Sequence, residues 1–255
     1  MLFSGELYVG VNLTRGEKSI SYAALNHDLE PVTLAQDDYP SLLAYLGGQQ
    51  QAVVGVYGPA KPNANILVDA ERRSQFLIEL SKGRPGNMRV AEYQLKQHKL
   101  PTFQTPASEM DAPLWMRTSF KLYRYLHKAG YQDYFVGCQA ERQVVEVMPE
   151  VGFRAWMEGD LLPRNSFYGR MQRQLILYDL GIDLPDPMQF FEEVTRYKIL
   201  QGILPDKAVL NVGMLIALGA AFMAWQTQQE SEKIALVGLA QEGQIAVPAS
   251  VLSVG

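Results

Sequence analysis

The longest apolar run of the chain, Val209–Trp225, limits what the sequence can fold into more than any other segment. Only Asn211 and glycines interrupt it, and polar residues begin at Gln226. A membrane-spanning helix needs about 20 apolar residues, so this run is slightly short for one. Its glycines and alanines suit close packing of a helix against neighbouring elements. We therefore predict a helix buried in the core of a globular domain, and no membrane span.

Apolar segments elsewhere predict a mixed β-sheet. Ala52–Val56 is apolar on both faces, which is typical of a central strand in a sheet that is covered by helices. The first part of the chain predicts an antiparallel meander with a turn at Thr14-Arg15-Gly16-Glu17. The other predicted strands are Leu7–Leu13, Ser19–Leu25, Pro31–Leu34, Val144–Met148, Ile234–Leu239 and Gln244–Val247.

Helical spacing and capping residues indicate helices between these strands. The predicted helices are Ser41–Leu46, Asp69–Leu80, Met88–Gln97, Pro113–Ala129, Gly152–Met157, Gly169–Leu180 and Met188–Gln201. Strands and helices that alternate in this way predict an α/β protein with a mixed sheet. A length of 255 residues fits a single domain over 1–255 with a helical insertion at about 61–142.

Charge is distributed unevenly along the chain, although its net value is only −4. The segment from Lys61 to Arg142 holds 13 basic and 8 acidic residues, a net charge of +5, and the rest holds 10 basic and 19 acidic residues, a net charge of −9. A solvated helical insertion explains this pattern, and a basic wall that binds an anionic polymer is the alternative. The run Trp115–Tyr125 likewise predicts either an amphipathic helix that covers the sheet or a stacking platform for bases.

The cysteines, the histidines and the sequence motifs limit which catalytic chemistry and which cellular compartment we expect. The single cysteine, Cys138, cannot form an internal disulfide, which favours a reducing compartment, normally the cytoplasm. Three scattered histidines give no zinc-ligand spacing, and Met1–Gly10 does not resemble a secretory signal. No Gly-x-Gly-x-x-Gly, P-loop or nucleophile-elbow motif occurs. Carboxylates at strand ends remain as candidates, because such groups can bind divalent ions that cleave phosphodiesters.

Six short fragments at strand ends and helix starts are informative as an ordered set. They are Val9-Gly10-Val11-Asn12, Val54-Gly55-Val56-Tyr57-Gly58-Pro59, Arg89-Val90-Ala91-Glu92, Val145-Glu146-Val147-Met148-Pro149-Glu150, the helix start Gly169…Arg173, and Gln241-Glu242-Gly243-Gln244-Ile245-Ala246-Val247-Pro248. In this order the chain resembles the predicted RNase H-like nuclease family, domain of unknown function 429, over nearly its whole length. The resemblance implies an RNase H-like fold, a mixed five-stranded sheet with its first three strands antiparallel and helices on both faces.

The resemblance also implies a metal site at the centre of the sheet, where this chain departs from the family pattern. Asn12 and Tyr57 stand where the family has Asp, and Glu146 matches the family's glutamate. Asn211 or Gly213 stands near the family's acidic positions at the start of the long helix. Glu146 is thus the candidate catalytic residue, with Asn12 as a second ligand for Mg²⁺ or Mn²⁺. The amide of Asn12 and the phenol of Tyr57 are neutral. We therefore expect weak metal binding, because the charge of the ligands does much to set the affinity for a metal ion.

Further side chains are expected around this site. Glu150, Glu17 or Asp206 could replace a missing carboxylate from nearby. The residues expected to line the cleft are Asn12, Tyr57, Arg89, Glu92, Glu150 and Asn211.

These candidates also have structural interpretations. Glu146 lies among apolar strand residues, so it needs either a metal or a buried ion pair with an arginine such as Arg89 or Arg173. Arg89 and Glu92 are three residues apart and are expected to pair with each other as surface charges. Tyr57 is expected to be packed rather than to take part in chemistry.

The predicted function is that of a cytoplasmic RNase H-like nuclease-family protein. Its metal-dependent phosphodiester hydrolysis is expected to be weak or lost, because the expected carboxylates are replaced. The alternative is a non-catalytic module on the same fold that binds a nucleic acid or serves as a protein scaffold. The basic insertion is the expected contact with nucleic acid, and no membrane partner is expected.

Overall fold

A computed structural model of the chain describes residues 5–13, 17–76, 78, 87–203 and 208–253. In these residues eight strands form one mixed sheet in the order β3-β2-β1-β4-β6-β8-β7, with β5 also paired to β6. The α/β class and the mixed sheet are as predicted, and the sheet has more strands than the five expected. The strands are β1 (Leu7–Asn12), β2 (Ile20–Leu25), β3 (Pro31–Asp37), β4 (Ala52–Tyr57), β5 (Gln132–Asp133), β6 (Arg142–Val147), β7 (Ile234–Val237) and β8 (Ile245–Pro248).

The centre of the sheet is parallel and its two margins are antiparallel. Strand β2 pairs antiparallel with β1 and with β3, which confirms the predicted meander, although residues 14–16 of its turn lie outside the described residues. Strands β1, β4, β6 and β8 run parallel, and β7 returns antiparallel beside β8. The sequence predicts β7 and β8 but not β5, because a two-residue strand carries no alternation to detect.

Helices connect these strands at the predicted places, with one exception. The segment predicted as a single helix over Met188–Gln201 forms two short helices, because Val194 is extended and Thr195 caps a new helix. The end of the helix predicted over Asp69–Leu80 falls outside the described residues. The helices are α1 (Tyr39–Gly47), α2 (Ala70–Gln75), α3 (Val90–Gln97), α4 (Leu114–Lys128), α5 (Pro149–Met157), α6 (Phe167–Asp179), α7 (Gln189–Glu193), α8 (Arg196–Leu200) and α9 (Val212–Gln229).

Helix α9 lies directly on one face of the sheet, which we call the α9 face. Gly10 on β1 and Gly55 on β4 are paired in register beneath it. A Cβ at Gly10 would lie 1.9 Å from the carbonyl oxygen of Ala217, and one at Gly55 would lie 2.4 Å from that of Ala220. The glycines therefore let the helix backbone approach the strands more closely than any side chain would allow. The apolar run is buried in the core as predicted, and none of the helices in the described residues has the length and apolarity to cross a membrane.

Helices α1 and α4 cover the opposite face, which we call the α4 face. Leu42 and Leu46 of α1 and Leu122, Tyr123 and Leu126 of α4 pack on the valines of β1 and β4. Within the run Trp115–Tyr125, Leu122 and Tyr123 take part in this packing, whereas Met116 and Phe120 are buried in a separate cluster with Ala112. The buried side of the helix is as an amphipathic helix covering the sheet requires. Helices thus cover both faces of the sheet in the described part of the chain.

Candidate functional site

The carboxyl ends of β1, β4 and β6 bring three candidate residues to one edge of the sheet. Asn12 and Tyr57 end β1 and β4 and are paired in register, whereas Glu146 on β6 is paired with Val56. Because side chains alternate between the two faces of a strand, Glu146 projects to the α4 face while Asn12 and Tyr57 project to the α9 face. The candidates therefore form two separate groups at this edge.

On the α4 face, Glu146 is held by Arg89 in a buried, two-pronged ion pair. Nη1 and Nη2 of Arg89 donate to Oε2 and Oε1 of Glu146 over 2.8 and 2.5 Å, and the backbone N–H of Ala60 donates to Oε2 over 2.9 Å. Arg89 is fully buried and Glu146 is 2% exposed. The ion pair with Arg89 is one of the two interpretations that the sequence allows for Glu146. Both of its carboxylate oxygens are engaged by donors.

Two more buried glutamates, Glu92 and Glu242, complete the group around Arg89. Nε of Arg89 donates to Oε1 of Glu92 over 3.1 Å, and Nη1 also donates to the carbonyl oxygen of Glu242 over 3.2 Å. The carboxylate of Glu92 accepts from the backbone N–H and the hydroxyl of Thr105, and that of Glu242 accepts from the backbone N–H of Val90. We call these residues the Arg89 cluster. It joins α3 to β6 and to the turn between β7 and β8 through a saturated polar network.

The charges of the Arg89 cluster do not balance. Burial raises the pKa of the Glu146 carboxyl, and the Arg89 guanidinium opposes that rise. Burial alone would lower the pKa of Arg89, but the charges and hydrogen bonds of Glu146 and Glu92 raise it above its ordinary value, so the guanidinium stays charged. One cation thus lies among three buried carboxyl groups. The cluster depends on Arg89 more than on any single glutamate, because removing the cation leaves only like charges.

On the α9 face, Asn12 and Asn211 fix the start of α9. The side-chain amide of Asn12 donates to the carbonyl oxygen of Gly213 over 3.3 Å. Asn211 is the N-cap of α9, and its Oδ1 accepts from the backbone N–H of Met214 over 3.0 Å. Gly213 leaves no space for a side chain, since a Cβ there would lie 2.4 Å from Oγ of Ser21. The positions where the resemblance places acidic residues are occupied here by contacts between the helix and the sheet.

A second arginine–glutamate pair, Arg173 with Glu150, lies on the same face. Nη2 of Arg173 donates to Oε2 of Glu150 over 2.7 Å, and its Nη1 donates to the carbonyl oxygens of Gly169 and Leu162 over 2.9 and 3.1 Å. Within the described residues, Oε1 of Glu150 and Nε of Arg173 are buried without a hydrogen-bond partner. This pair is therefore less completely satisfied than the Arg89 cluster.

Tyr57 lies near this second pair as a packed, neutral phenol. Burial, together with the charge of Glu150, raises the pKa of Tyr57 to about 12, although Arg164 acts in the opposite direction. The ring of Tyr57 packs on Phe103 with 5.1 Å between the ring centroids, and Phe103 in turn contacts Trp115. At neutral pH the phenol stays protonated, which makes it a poor ligand for a hard cation.

The donors at this edge do not fit the Mg²⁺ or Mn²⁺ site that the resemblance implies. Glu146 and Asn12 project to opposite faces of the sheet, and Glu146 already accepts from a buried guanidinium that would repel a cation. A hard divalent ion needs several oxygen ligands with negative charge among them. The carboxylate of Glu150, on the face of Asn12, is paired with Arg173. Among the residues that the structure describes, no group of three or more acidic, histidine or cysteine side chains is placed to hold a metal.

A cavity of about 140 Å³ lies beside Glu146, where β5 ends and β8 begins along β6. Tyr123, Lys61 and Asp133 line it together with Glu146. The hydroxyl of Tyr123 is buried and has no hydrogen-bond partner within the described residues, and burial raises its pKa well above the usual value. The cavity is large enough for a few water molecules at about 30 Å³ each, which could satisfy this hydroxyl. A larger cavity of about 520 Å³ is lined by α5 and the residues after α3.

Some residues predicted at the site lie away from these two groups, and others are more deeply buried than predicted. The pairing of Arg89 with Glu92 is confirmed, but its prediction as a surface pair is wrong, since both side chains are fully buried. The reason is that Glu92 also binds the backbone of Thr105, which covers it. Glu17 pairs with Lys121 over 2.9 Å at the surface, and Asp206 lies outside the described residues.

Sequence reasoning misses Glu242 and Thr105. Glu242 is in a turn of Gln-Glu-Gly composition, which is typical of a solvated hairpin and gives no sign of burial. The only available signal is that Glu242 belongs to one of the six ordered fragments. Thr105 lies in a loop without periodicity, so nothing in its surroundings indicates its contact with Glu92.

Comparison with known proteins identifies no relative of this chain. No protein-family model, curated protein or solved structure matches the chain. Any function must therefore be argued from the residues themselves.

Proposed function

We propose that this protein is a cytoplasmic, nucleic-acid-binding relative of the RNase H-like nucleases that does not hydrolyse phosphodiesters at its sheet edge. Two features support the RNase H-like part of this proposal. The first three strands are antiparallel and strands β1, β4 and β6 are parallel, which agrees with the mixed sheet and the antiparallel first three strands that the resemblance implies. The long helix α9 then packs across the central strands.

The observation that carries the proposal is the ion pair between Arg89 and Glu146. The candidate catalytic carboxylate accepts from both terminal nitrogens of a buried guanidinium. To bind a metal ion, Glu146 would have to leave this pair and strand Arg89 without its main partner in the core, which is strongly unfavourable. Glu146 is therefore better suited to hold α3 against the sheet than to catalyse hydrolysis.

A nuclease assay tests this part of the proposal. The purified protein is incubated with single-stranded DNA, duplex DNA, RNA and an RNA–DNA hybrid in the presence of Mg²⁺ or Mn²⁺. We expect no cleavage that differs between the wild type and Glu146→Gln. Cleavage by the wild type that Glu146→Gln abolishes, while circular dichroism shows a retained fold, would contradict the proposal.

The outer face of α4 is the surface that fits a nucleic acid. Arg117, Lys121, Arg124 and Lys128 are exposed and follow one side of the helix at spacings of four, three and four residues. Lys121 pairs with Glu17, and Arg124 makes two hydrogen bonds of 2.9 and 3.0 Å to Glu109. These exposed pairs hold the basic side chains in a row without removing them from the surface, and a row of this kind can follow a phosphate backbone.

The buried rings of α4 limit the mode of binding. Phe120 and Tyr123 face the core, so these two rings are not available for bases to stack on. Binding by α4 should therefore depend on phosphate charge and be largely independent of sequence.

Fluorescence anisotropy with labelled oligonucleotides at several salt concentrations tests this surface. The double variant Arg117→Gln/Lys128→Gln should weaken binding and reduce the slope of log K against log salt by about 0.9 for each duplex phosphate that the variant no longer neutralises. Arg154→Gln is the matched control, because Arg154 lies on α5, which packs on the α9 face. Binding that both variants leave unchanged, or no salt-dependent binding by the wild type, would overturn the nucleic-acid part of the proposal and favour a protein scaffold.

A further inference from the structure

The cavity of about 140 Å³ beside Glu146 lies at a gap along β6, and we call it the β6 cavity. Strand β5 pairs with β6 up to Val144, and β8 pairs with β6 from Glu146 onward, so that Val145 lies between the two pairings and lines the cavity. The walls are mostly apolar and include Val144, Leu236 and Ala240. Apolar walls with a few polar groups are typical of a site that binds a small molecule. The volume is that of about four or five water molecules, which limits the occupant to a small one.

The hydroxyl of Tyr123 is a buried hydrogen-bond donor at this cavity. Tyr123 is 3% exposed, and its hydroxyl has no hydrogen-bond partner within the described residues. Burial, together with the negative charges of Glu146 and Asp133, raises the pKa of the phenol well above its usual value, although Arg89 acts in the opposite direction. The hydroxyl therefore stays protonated and needs an acceptor, and the two carboxylates, which line the same cavity, disfavour an anion in that role. An uncharged oxygen or nitrogen atom fits it.

An exposed aromatic ring and a loose ion pair lie where the cavity meets solvent. Phe135 lines the cavity and is 56% exposed. Nζ of Lys61 lies 3.9 Å from Oδ2 of Asp133, too far for a hydrogen bond, and donates over 3.5 Å to the carbonyl oxygen of Ala240. An exposed pair with this separation contributes little free energy, so it gives way readily to a ligand. The mouth of the cavity thus offers an aromatic face, a cationic donor and an acidic acceptor.

Asp133 connects the mouth of the cavity to the row of basic side chains on α4. Its Oδ1 lies 2.9 Å from Nε2 of His127. His127 is three residues after Arg124 and directly before Lys128, both of which belong to that row. A strand whose phosphates follow the row therefore passes close to the β6 cavity.

We propose that the β6 cavity binds one base of the nucleic acid whose phosphates lie along α4. An uncharged base offers a carbonyl or ring-nitrogen acceptor to Tyr123, N–H donors to Asp133 and a planar face to Phe135. Because a base has to leave its stack to enter, the expected partner is a single strand rather than a duplex. The inference rests on the proposed function for the position of the strand, but the cavity by itself predicts that a free nucleoside binds.

Fluorescence anisotropy with two labelled single strands of equal length and charge tests the cavity. One is an oligothymidylate, and the other is an abasic strand that has the phosphates without the bases. The wild type should bind the oligothymidylate about tenfold more tightly, because stacking of one base is worth a factor of this order. Phe135→Ala should remove most of this difference. Phe191→Ala is the matched control and should leave it unchanged, because the ring of Phe191 is 49% exposed on α7, outside the cavity.

Removal of one hydroxyl separates a binding role of Tyr123 from a structural one. Tyr123→Phe should weaken binding of the oligothymidylate about fivefold, the value of one hydrogen bond, and leave binding of the abasic strand unchanged. It should not lower the thermal midpoint, because this hydroxyl has no partner in the free protein within the described residues. Tyr131→Phe is the matched control, since the hydroxyl of Tyr131 donates to the carbonyl oxygen of Leu46 over 2.9 Å. It should lower the thermal midpoint and leave both affinities unchanged.

The outcomes distinguish this inference from the proposed function. Salt-dependent binding of equal strength to the two strands would overturn the base site and leave the proposed function intact. If neither strand binds, the proposed function fails, and thermal denaturation with free thymidine at millimolar concentration decides about the cavity. A rise in the thermal midpoint that Tyr123→Phe abolishes would then support the base site, and no rise would overturn it.

Discussion

The two arginine–glutamate pairs at the same sheet edge differ in how fully they are satisfied. On the α4 face, the guanidinium of Arg89 binds the side chains of Glu146 and Glu92 and the backbone of Glu242, and no part of it is exposed. On the α9 face, Arg173 binds one oxygen of Glu150 and two carbonyl groups, and the pair leaves one nitrogen and one oxygen unpaired in the described residues.

This difference separates a structural group from one that retains binding capacity. A saturated network such as the Arg89 cluster rigidifies its surroundings and has no free ligand atoms. An incompletely satisfied pair has donors and acceptors left over for water or a ligand. The residue that the sequence marks most strongly for catalysis, Glu146, is in the saturated group. Five substitutions test these roles, and we give them from the largest expected effect to the smallest.

Arg89→Met should cause the largest loss of stability. It leaves the carboxylates of Glu146 and Glu92 buried without their shared cation, and breaking a buried ion pair by removing one partner costs about 3–5 kcal/mol. Urea denaturation gives the free energy of unfolding. Glu146→Gln is the matched comparison. It keeps the side-chain shape and lowers the excess of negative charge, but its NH2 group cannot accept from the donors that face one of the two carboxylate oxygens. We therefore expect a loss of about 1.5–3 kcal/mol. Equal losses for the two variants would show that Arg89 is not the central cation of the cluster.

Glu150→Gln should cost less than Glu146→Gln. Arg173 keeps its bonds to the carbonyl oxygens of Gly169 and Leu162, and the Glu150 side chain is 11% exposed, so water can replace part of what is lost. We expect a loss of about 1.5 kcal/mol, at the low end for a charged hydrogen bond. The same urea series measures it. A loss as large as that of Arg89→Met would mean that the two pairs are equivalent and that the contrast between the faces is wrong.

Asn12→Ala tests whether the side chain of Asn12 stabilises the start of α9. The change removes the donor to the carbonyl oxygen of Gly213, and we expect a loss of about 1 kcal/mol, the net value of a typical hydrogen bond. Amide hydrogen exchange should become faster in the first turn of α9 and stay unchanged in α4, which packs on the other face. Faster exchange in both helices would instead indicate a general loss of stability.

Lys121→Met should have the smallest effect on stability. Its pair with Glu17 is exposed, and pairs of this kind contribute less than about 1 kcal/mol. We expect a loss within this limit that becomes smaller still as salt is raised, because the charges are screened. A loss comparable with that of Glu146→Gln would require the α4 surface to be more than a solvated row of charges.

Most of the secondary structure is predictable from the sequence, because the strands and helices carry strong periodic patterns. The meander, the central strand over Ala52–Val56 and the buried helix α9 follow directly from these patterns. The break between α7 and α8 at Thr195 is harder to predict from the sequence, because one capping residue inside an otherwise helical pattern gives only a local signal.

The site is only partly predictable, for reasons of geometry. The partner of Glu146 is among the arginines that the sequence offers, but the choice between Arg89 and Arg173 depends on tertiary structure. The register of the strands also matters. Glu146 pairs with Val56, and Tyr57 is the next residue along β4, so the side chains of Tyr57 and Glu146 lie on opposite faces of the sheet. The contribution of Glu242 comes from a turn that is distant in sequence, so no local pattern indicates it.

A crystal structure of the wild-type protein grown with Mn²⁺, with anomalous diffraction data, tests most directly whether Glu146 is structural. We expect the Arg89 guanidinium to lie within hydrogen-bond distance of both Glu146 oxygens, with no anomalous peak beside this carboxylate. An anomalous peak within ligand distance of Glu146, with Arg89 displaced from the carboxylate, would contradict the structural role of Glu146. It would instead support metal-dependent hydrolysis of phosphodiesters at this site.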